Sequence, residues 1–330
     1  MFLFLLVISL NILIYIFSND LAKFLKVYDT PDKVRKFHKI KIPLIGGIII
    51  LFNSILALYL IFMNQLNFEK SFNFKSNFDL LILLISIFIF FLIGFVDDKY
   101  NVSANKRFIF ISIILLPIIL FSDDLIIKVI EISFMENSYS LTFTLSIFWT
   151  VLCFLLFINA FNMFDGINYQ VGCYSIYISF FFLINNYFST FFLLILIGLI
   201  TFIFLNHKNK SFLGDSGSYL LAFIFGYFFV KLYNQVDNVK ADHIVLFMII
   251  PGVDLIRLFI VRIVKGKNPF TPDRNHLHHI LADKFNLIKT NLIIQSLIVI
   301  PSILGFYYGF TYIYLLIQIT IYFYLIIFLK

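Results

Sequence analysis

Four groups of polar residues interrupt a chain that is otherwise apolar, and their residue types suit phosphate chemistry. The first is Gly94-Phe95-Val96-Asp97-Asp98-Lys99, where two carboxylates close an apolar run. Adjacent carboxylates repel one another unless they share a cation or a proton. The pair therefore reads either as a solvated helix end or as a divalent-metal or general-base site near phosphate. Lys106 and Arg107 follow within one short loop, and a cationic pair suits a phosphate partner. The second group is Asn159-Ala160-Phe161-Asn162-Met163-Phe164-Asp165-Gly166-Ile167-Asn168. On a helix, Asn159 and Asn162 share a face at i and i+3, with Asp165 one turn further on. Such a stripe is costly at a membrane boundary without partners. It satisfies itself either by bonding between helices or by offering oxygens to Mg²⁺, a hard cation that takes carboxylate, amide and phosphate oxygens.

The third group, Phe212-Leu213-Gly214-Asp215-Ser216-Gly217-Ser218, places two glycines around an aspartate and two serines. The glycines permit close backbone approach to a ligand, while Asp215 and the serines are equally suited to capping the next helix. The fourth, Pro272-Asp273-Arg274-Asn275-His276-Leu277-His278-His279, carries three imidazoles beside a guanidinium. Zinc sites use such imidazoles with thiolate or carboxylate help. Arg274 opposes a cation, however, and favours an anion such as a diphosphate. The preceding apolar run holds Pro251-Gly252, then Asp254 and Arg257 at i and i+3, and a kink at the proline would carry its charged end out of the membrane interior.

The elements that must position these groups are membrane helices. Of 330 residues, 61% are hydrophobic and 13% charged, with a mean hydropathy of +0.98. A soluble domain carries about 25% charged residues. A span needs roughly 20 mostly apolar residues, and about eleven runs qualify: 2–18, 46–64, 80–96, 108–122, 143–160, 171–185, 189–205, 217–233, 244–262, 291–309 and 311–329. The first run has no basic leader or small-residue cleavage site, so it reads as a retained helix. The expected fold is an all-α integral membrane protein, one multipass domain over 1–330.

Basic residues orient such a chain, because they stay on the cytoplasmic side. Of the 25 Lys and Arg residues, all but Lys70, Lys75, Lys128, Lys231 and Lys240 fall in one set of alternating loops. That set is read as cytoplasmic, which leaves the amino terminus outside and the carboxyl terminus inside. It also accounts for the net charge of +7 without nucleic acid. All four polar groups fall on this side, at segments 97–107, 159–170, 206–217 and 263–290, and segment 19–45 is a fifth active-site loop there, whereas the opposite loops hold ordinary solvated residues such as Asn64, Glu69, Asn77, Glu136 and Asn137. Asp254 is the one carboxylate in the middle of a confident span. Cys153 and Cys173 lie in separate apolar stretches and read as packing residues.

Together the groups resemble the polyprenyl-phosphate N-acetylhexosamine-1-phosphate transferases, a glycosyltransferase family whose bacterial members start cell-surface polysaccharide lipid intermediates. The resemblance extends from Asp29-Thr30-Pro31-Asp32 through His38-Lys39 and Pro43-Leu44-Ile45-Gly46-Gly47 to the histidine loop. The wording Pro269-Phe270-Thr271-Pro272-Asp273-Arg274 is similar to the branch using simple UDP-N-acetylhexosamines. One departure is Asp165-Gly166-Ile167-Asn168-Tyr169, where the family has Asp-Gly-x-Asp-Gly. The amide and the tyrosine put donor contacts, and with them sugar specificity, in question.

The resemblance implies that an undecaprenyl phosphate oxygen attacks the β-phosphorus of a UDP-sugar such as UDP-GlcNAc, releasing UMP, with Mg²⁺ (or Mn²⁺) as cofactor. It implies Asp215 as a metal ligand with Asn162 beside it, and Asp97 and Asp98 activating or orienting the acceptor phosphate. Asp165 belongs to the donor site or supports it. Asn168, Arg274, His276, His278 and His279 contact the donor, and Lys39 and Arg107 are phosphate candidates. The expected place is a bacterial plasma membrane, with homodimerisation compatible. The rival readings are a multipass transporter, which would carry binding residues near the bilayer midplane, and an inactive relative serving as a scaffold.

Overall fold

A computed structural model describes residues 2–31, 41–63, 76–270 and 273–329, with side chains from residue 5 onward, so Lys39 lies outside the described residues. The chain divides into two compact units, residues 1–103 with 171–224, and 104–170 with 225–330.

The first unit contains α1 (Phe2–Ile16), α2 (Ser18–Leu25), a short hairpin of β1 (Tyr28–Asp29) and β2 (Ile42–Pro43), α3 (Gly46–Phe62), α4 (Asn77–Tyr100), α7 (Gln170–Ile184, from Val171), α8 (Ser189–His207) and the first half of α9 (Gly214–Gln235). Its starts and stops follow local chemistry. Ser76 and Asp79 form a reciprocal capping box at the head of α4, and Asn101 ends that helix in the left-handed conformation. Buried polar side chains pair with one another: Asn11 on α1 and Asn53 on α3 exchange two amide hydrogen bonds of 3.0 Å, and each also donates to the carbonyl four residues back. In an apolar bundle an amide without a partner is costly, so such a pair fixes which helix faces meet. Between the helices the packing is aromatic, as in the stack of Phe90 on Phe223 with ring centroids 4.3 Å apart.

The second unit contains α5 (Ala104–Leu120), a 3₁₀ turn (Asp123–Leu125), a hairpin of β3 (Val129–Ile130) and β4 (Tyr139–Ser140), α6 (Phe143–Phe164), the rest of α9, α10 (Ala241–Val264), α11 (Leu277–Lys284), α12 (Leu287–Tyr308) and α13 (Thr311–Leu329). α10 packs against α6, α12 and α13. It runs through Pro251 as one unbroken helix. At its head the buried Asp242 accepts from Ser133 N at 2.9 Å and from the hydroxyls of Ser133 and Thr311, while Lys240 pairs with Glu131 and the Tyr233 hydroxyl donates to the carbonyl of Val129. Glu136 and Asn137 near this network are exposed as expected, and so is Asn77 of the first unit.

All eleven apolar runs fall on helices. Among the described residues, seven helices are long and apolar enough to cross a membrane: α4, α6, α8, α9, α10, α12 and α13. α1 and α2 add an eighth if their pair, bent by 62°, counts as one span. The others are shorter, α3 and α5 at 17 residues and α7 at 15; 15 residues of helix extend only about 23 Å, short of a hydrocarbon core of about 30 Å. Outward-facing Phe148, Ile327 and Phe328 give these helices an apolar surface. α9 is the exception, with 94% of its apolar window buried.

Burial of α9 depends on small residues facing its amino-terminal turn. A methyl group at Gly94 of α4 would come within 2.2 Å of the Asp215 carbonyl oxygen, and one at Gly47 of α3 within 2.6 Å of Gly217 N. Neither backbone atom can rotate away. Gly94→Ala should therefore lower the thermal midpoint of the purified protein, at a cost of about 1–3 kcal/mol typical of overpacking. Gly252→Ala, where nothing among the described residues lies within 4 Å of the added methyl, is the control expected to leave the midpoint unchanged or slightly raised, since Ala favours a helix interior. Equal midpoints for both variants would overturn this account of the packing.

Candidate active site

In the first unit the carboxylates of α4 meet the start of α9. Asp98 accepts hydrogen bonds from the backbone N–H of Asp215 (2.8 Å) and of Ser216 (3.0 Å). These donors belong to the first turn of a helix, where N–H groups lack partners within the helix and the dipole favours negative charge. A residue 117 positions away in sequence thus caps α9. Gly214 makes this possible: its φ is +77°, and a Cβ there would lie 2.7 Å from an Asp98 carboxylate oxygen. The close approach expected of this glycine-rich turn is therefore realised against α4. Asp97 is also held, with its Oδ1 accepting from Val102 N at 2.8 Å.

The Asp215 side chain lies close enough to Asp98 for the two like charges to interact. Each Asp98 oxygen already accepts one N–H, which leaves lone pairs for a further partner. Among the described residues no group of three or more His, Cys, Asp or Glu side chains is arranged to hold a metal. Two carboxylates still fit magnesium, which commonly binds one or two of them and takes its other oxygens from substrate phosphates and water.

The second unit builds its site around Asp254. One oxygen of this buried carboxylate accepts from Arg257 Nη2 (2.8 Å), the Tyr322 hydroxyl (2.6 Å) and Leu277 N (3.2 Å). The other accepts from His276 Nδ1 at 2.8 Å. A carboxylate only accepts, so the proton sits on Nδ1, and Nε2 is the ring nitrogen that Asp254 does not hold. Arg257 also donates to the Asn275 carbonyl (2.6 Å), and Arg262 holds Asp273 at 3.0 Å. Both ends of the segment carrying Arg274 and His276 are thereby tied to α10.

The three histidines form one cluster. The rings of His276 and His278 stack with centroids 5.3 Å apart, and those of His278 and His279 lie 4.2 Å apart. Burial holds the His278 imidazole well below its ordinary pKa, with its neighbours His279 and His276 adding to the effect. Burial, then Arg274, brings His279 down to about 4. Both rings are therefore neutral near pH 7, each with one N–H to donate beside the charge of Arg274. Arg274 pairs with Asp283 at 3.3 Å. His278 Nε2 is buried without a hydrogen-bond partner among the described residues and lies against Gly166, where an added Cβ would come within 1.9 Å of it.

Gly166 belongs to the turn that carries Asp165 and Asn168. Asp165 is the C-cap of α6, and its N–H bonds to the carbonyl of Asn162. The expected polar stripe is met in part within its own helix, since Asn159 Nδ2 donates to the Leu155 carbonyl at 2.7 Å. The carbonyl of Asn168 accepts from Asn291 on α12 at 3.0 Å. The structure thus brings Gly166, His276, His278 and His279 together in this unit, and Asp98 and Asp215 together in the other. Asn162 and Arg107 stand on α6 and α5 of the second unit. Sequence reading singled out Asp254 and Arg257 without giving them a role, and it missed Tyr322 and Asn291. For Asn291 the available signal was a run of Asn291 and Gln295 at i and i+4 in an apolar helix.

A histidine whose folded pKa is depressed resists the proton that its unfolded form accepts. Unfolding is thus favoured as pH falls from the unfolded value near 6.5 toward about 4. The thermal midpoint should fall across this window, and the fall should be shallower in His279→Asn. An unchanged slope in that variant would show that His279 takes up its proton equally in both states.

The family model for glycosyl transferase family 4 matches residues 80–233. The undecaprenyl-phosphate alpha-N-acetylglucosaminyl 1-phosphate transferase of Thermotoga maritima is 29% identical over 299 residues, covering 89% of this chain and 87% of the relative. Proteins of the same name from Escherichia coli K12 and Yersinia pestis are 25% and 26% identical, covering 80% and 82% of this chain and 71% and 75% of their own lengths. The matched segment contains Asp97, Asp98, Asp165 and Asp215, and the curated relatives extend the similarity across most of the chain. With an all-helical architecture of apolar, membrane-length helices, the chain resembles glycosyl transferase family 4 over that segment.

Proposed function

We propose that this chain transfers N-acetylhexosamine 1-phosphate from a UDP-sugar, UDP-GlcNAc first among them, to undecaprenyl phosphate, releasing UMP. The observation that carries this reading is the meeting of Asp98 and Asp215 at the amino terminus of the buried α9. Carboxylates and helix N–H groups in one place suit a magnesium–phosphate ligand, and three relatives covering most of the chain carry the matching name. In this reading all eleven apolar helices enter the membrane of a bacterial cell as one transferase. The amino terminus is outside and the carboxyl terminus cytoplasmic, as the distribution of Lys and Arg argues.

An acceptor phosphate oxygen forms a bond to the β-phosphorus of the donor while the bond to UMP breaks. Asp215 and Asp98 would hold magnesium, which would neutralise charge on the phosphoryl oxygens when bound. Asp97, with one oxygen fixed by the α4 exit, supports the acceptor phosphate, and Lys39 and Arg107 are its cationic partners. Arg274 offers a planar pair of donors to a diphosphate. The histidines orient the donor, His278 and His279 as neutral hydrogen-bonding groups and His276 as a ring aligned by Asp254. Asp165 and Asn168 are the donor-binding candidates of the second unit.

Purified membranes supplied with labelled UDP-GlcNAc, undecaprenyl phosphate and Mg²⁺ should yield a labelled lipid and stoichiometric UMP. Asp215→Ala should reduce the rate by about 10²–10³, the range for removing one electrostatic stabiliser of a transition state. Absence of product from this donor and from other UDP-N-acetylhexosamines would overturn the proposal and favour a scaffold; flux without a lipid product would favour a transporter.

A further inference from the structure

Tyr169 has a φ of +71°. In this left-handed region an L side chain crowds its own backbone, whereas glycine does not. The conformation is kept at the junction between the Asp165–Asn168 turn and α7, so surrounding contacts must hold it. Two side-chain amides from α12 do so from one face, since positions 291 and 295 are one helical turn apart. Asn291 Nδ2 donates to the carbonyl of Asn168 at 3.0 Å, and Gln295 Nε2 donates to the carbonyl of Gln170 at 2.9 Å. These carbonyls belong to the residues immediately before and after Tyr169. Carbonyl oxygens only accept, so the NH₂ end of each amide must face them. Asn291 is itself buried and anchored by a second bond, to the Leu287 carbonyl of its own helix.

We infer that Asn291 and Gln295 are positioning residues: a two-point amide clamp on α12 that holds Tyr169 left-handed and so sets the placement of Asn168 and Tyr169 for the sugar of the donor. The inference rests on the donor-site reading of this turn. Both carbonyls are held within the second unit, and the amides act through the backbone, not on the substrate itself. Because the clamp opposes strain that exists only with a side chain at 169, a glycine there would make it dispensable. That dependence separates a positioning clamp from ordinary helix packing.

The test is a double-mutant cycle on the full-length purified protein. Asn291→Leu with Gln295→Met removes both donors while keeping side-chain volume, in the wild-type and Tyr169→Gly backgrounds. With UDP-GlcNAc, clamp removal should raise the donor KM about tenfold with kcat within about threefold, and Tyr169→Gly should return KM to within twofold of its parent. The thermal midpoint, which needs no donor, should fall on clamp removal in the wild-type background and move less in Tyr169→Gly. Equal losses of midpoint in both backgrounds, or a fall in kcat alone that Tyr169→Gly does not rescue, would overturn the clamp. If the wild-type protein turns over no UDP-sugar, the donor-site reading fails, and the midpoint cycle alone decides whether the clamp exists.

Discussion

A carboxylate inside an apolar helix has no water to solvate it, and each such group must be answered by protein donors or bear a large desolvation cost. In the first unit Asp98 is answered by two backbone N–H groups of α9, and this contact organises its surroundings. It needs Gly214 in a left-handed turn and Gly94 without a side chain, and it brings Asp215 beside Asp98. In the second unit Asp254 is answered by Arg257, Tyr322, His276 and Leu277 N. Their demand for one another ties α10, α13 and the head of α11 together.

The same rule explains why these groups suit phosphate. A helix start that already accommodates one carboxylate presents N–H groups and a positive dipole end, while two neighbouring carboxylates call for a cation. The histidine loop works differently. His278 and His279 are neutral near pH 7, so they contribute direction through hydrogen bonds, and Arg274 contributes charge. Two of the three imidazoles in a cluster that looks cationic in sequence are thus neutral donors beside one guanidinium.

The turn at Asp165–Tyr169 shows how a departure from a familiar motif is absorbed. Tyrosine at a position of positive φ is strained locally, and the nearby helix α12 contributes two amides whose bonds fall on either side of it. Neither amide lies near the motif in sequence.

Much of the fold was legible from apolar run length alone. Each of the eleven runs lies on a helix, and the breaks near Asn186 and Gly309 both have positive φ. Which helices are long enough to span was less legible, because composition does not reveal where a helix bends, as at Phe17, or how much of a run becomes loop. The sequence by itself determined an all-helical chain of apolar helices and the identity of its reactive groups, since helix formation and residue chemistry are local. Tertiary structure decided the partners. That Asp98 caps α9 rather than facing water, that Asp254 is a hub, and that α12 grips the turn at Tyr169 all depend on contacts between segments from 18 to more than 120 residues apart. No local periodicity encodes these pairings; they arise because buried donors and acceptors have nowhere else to go.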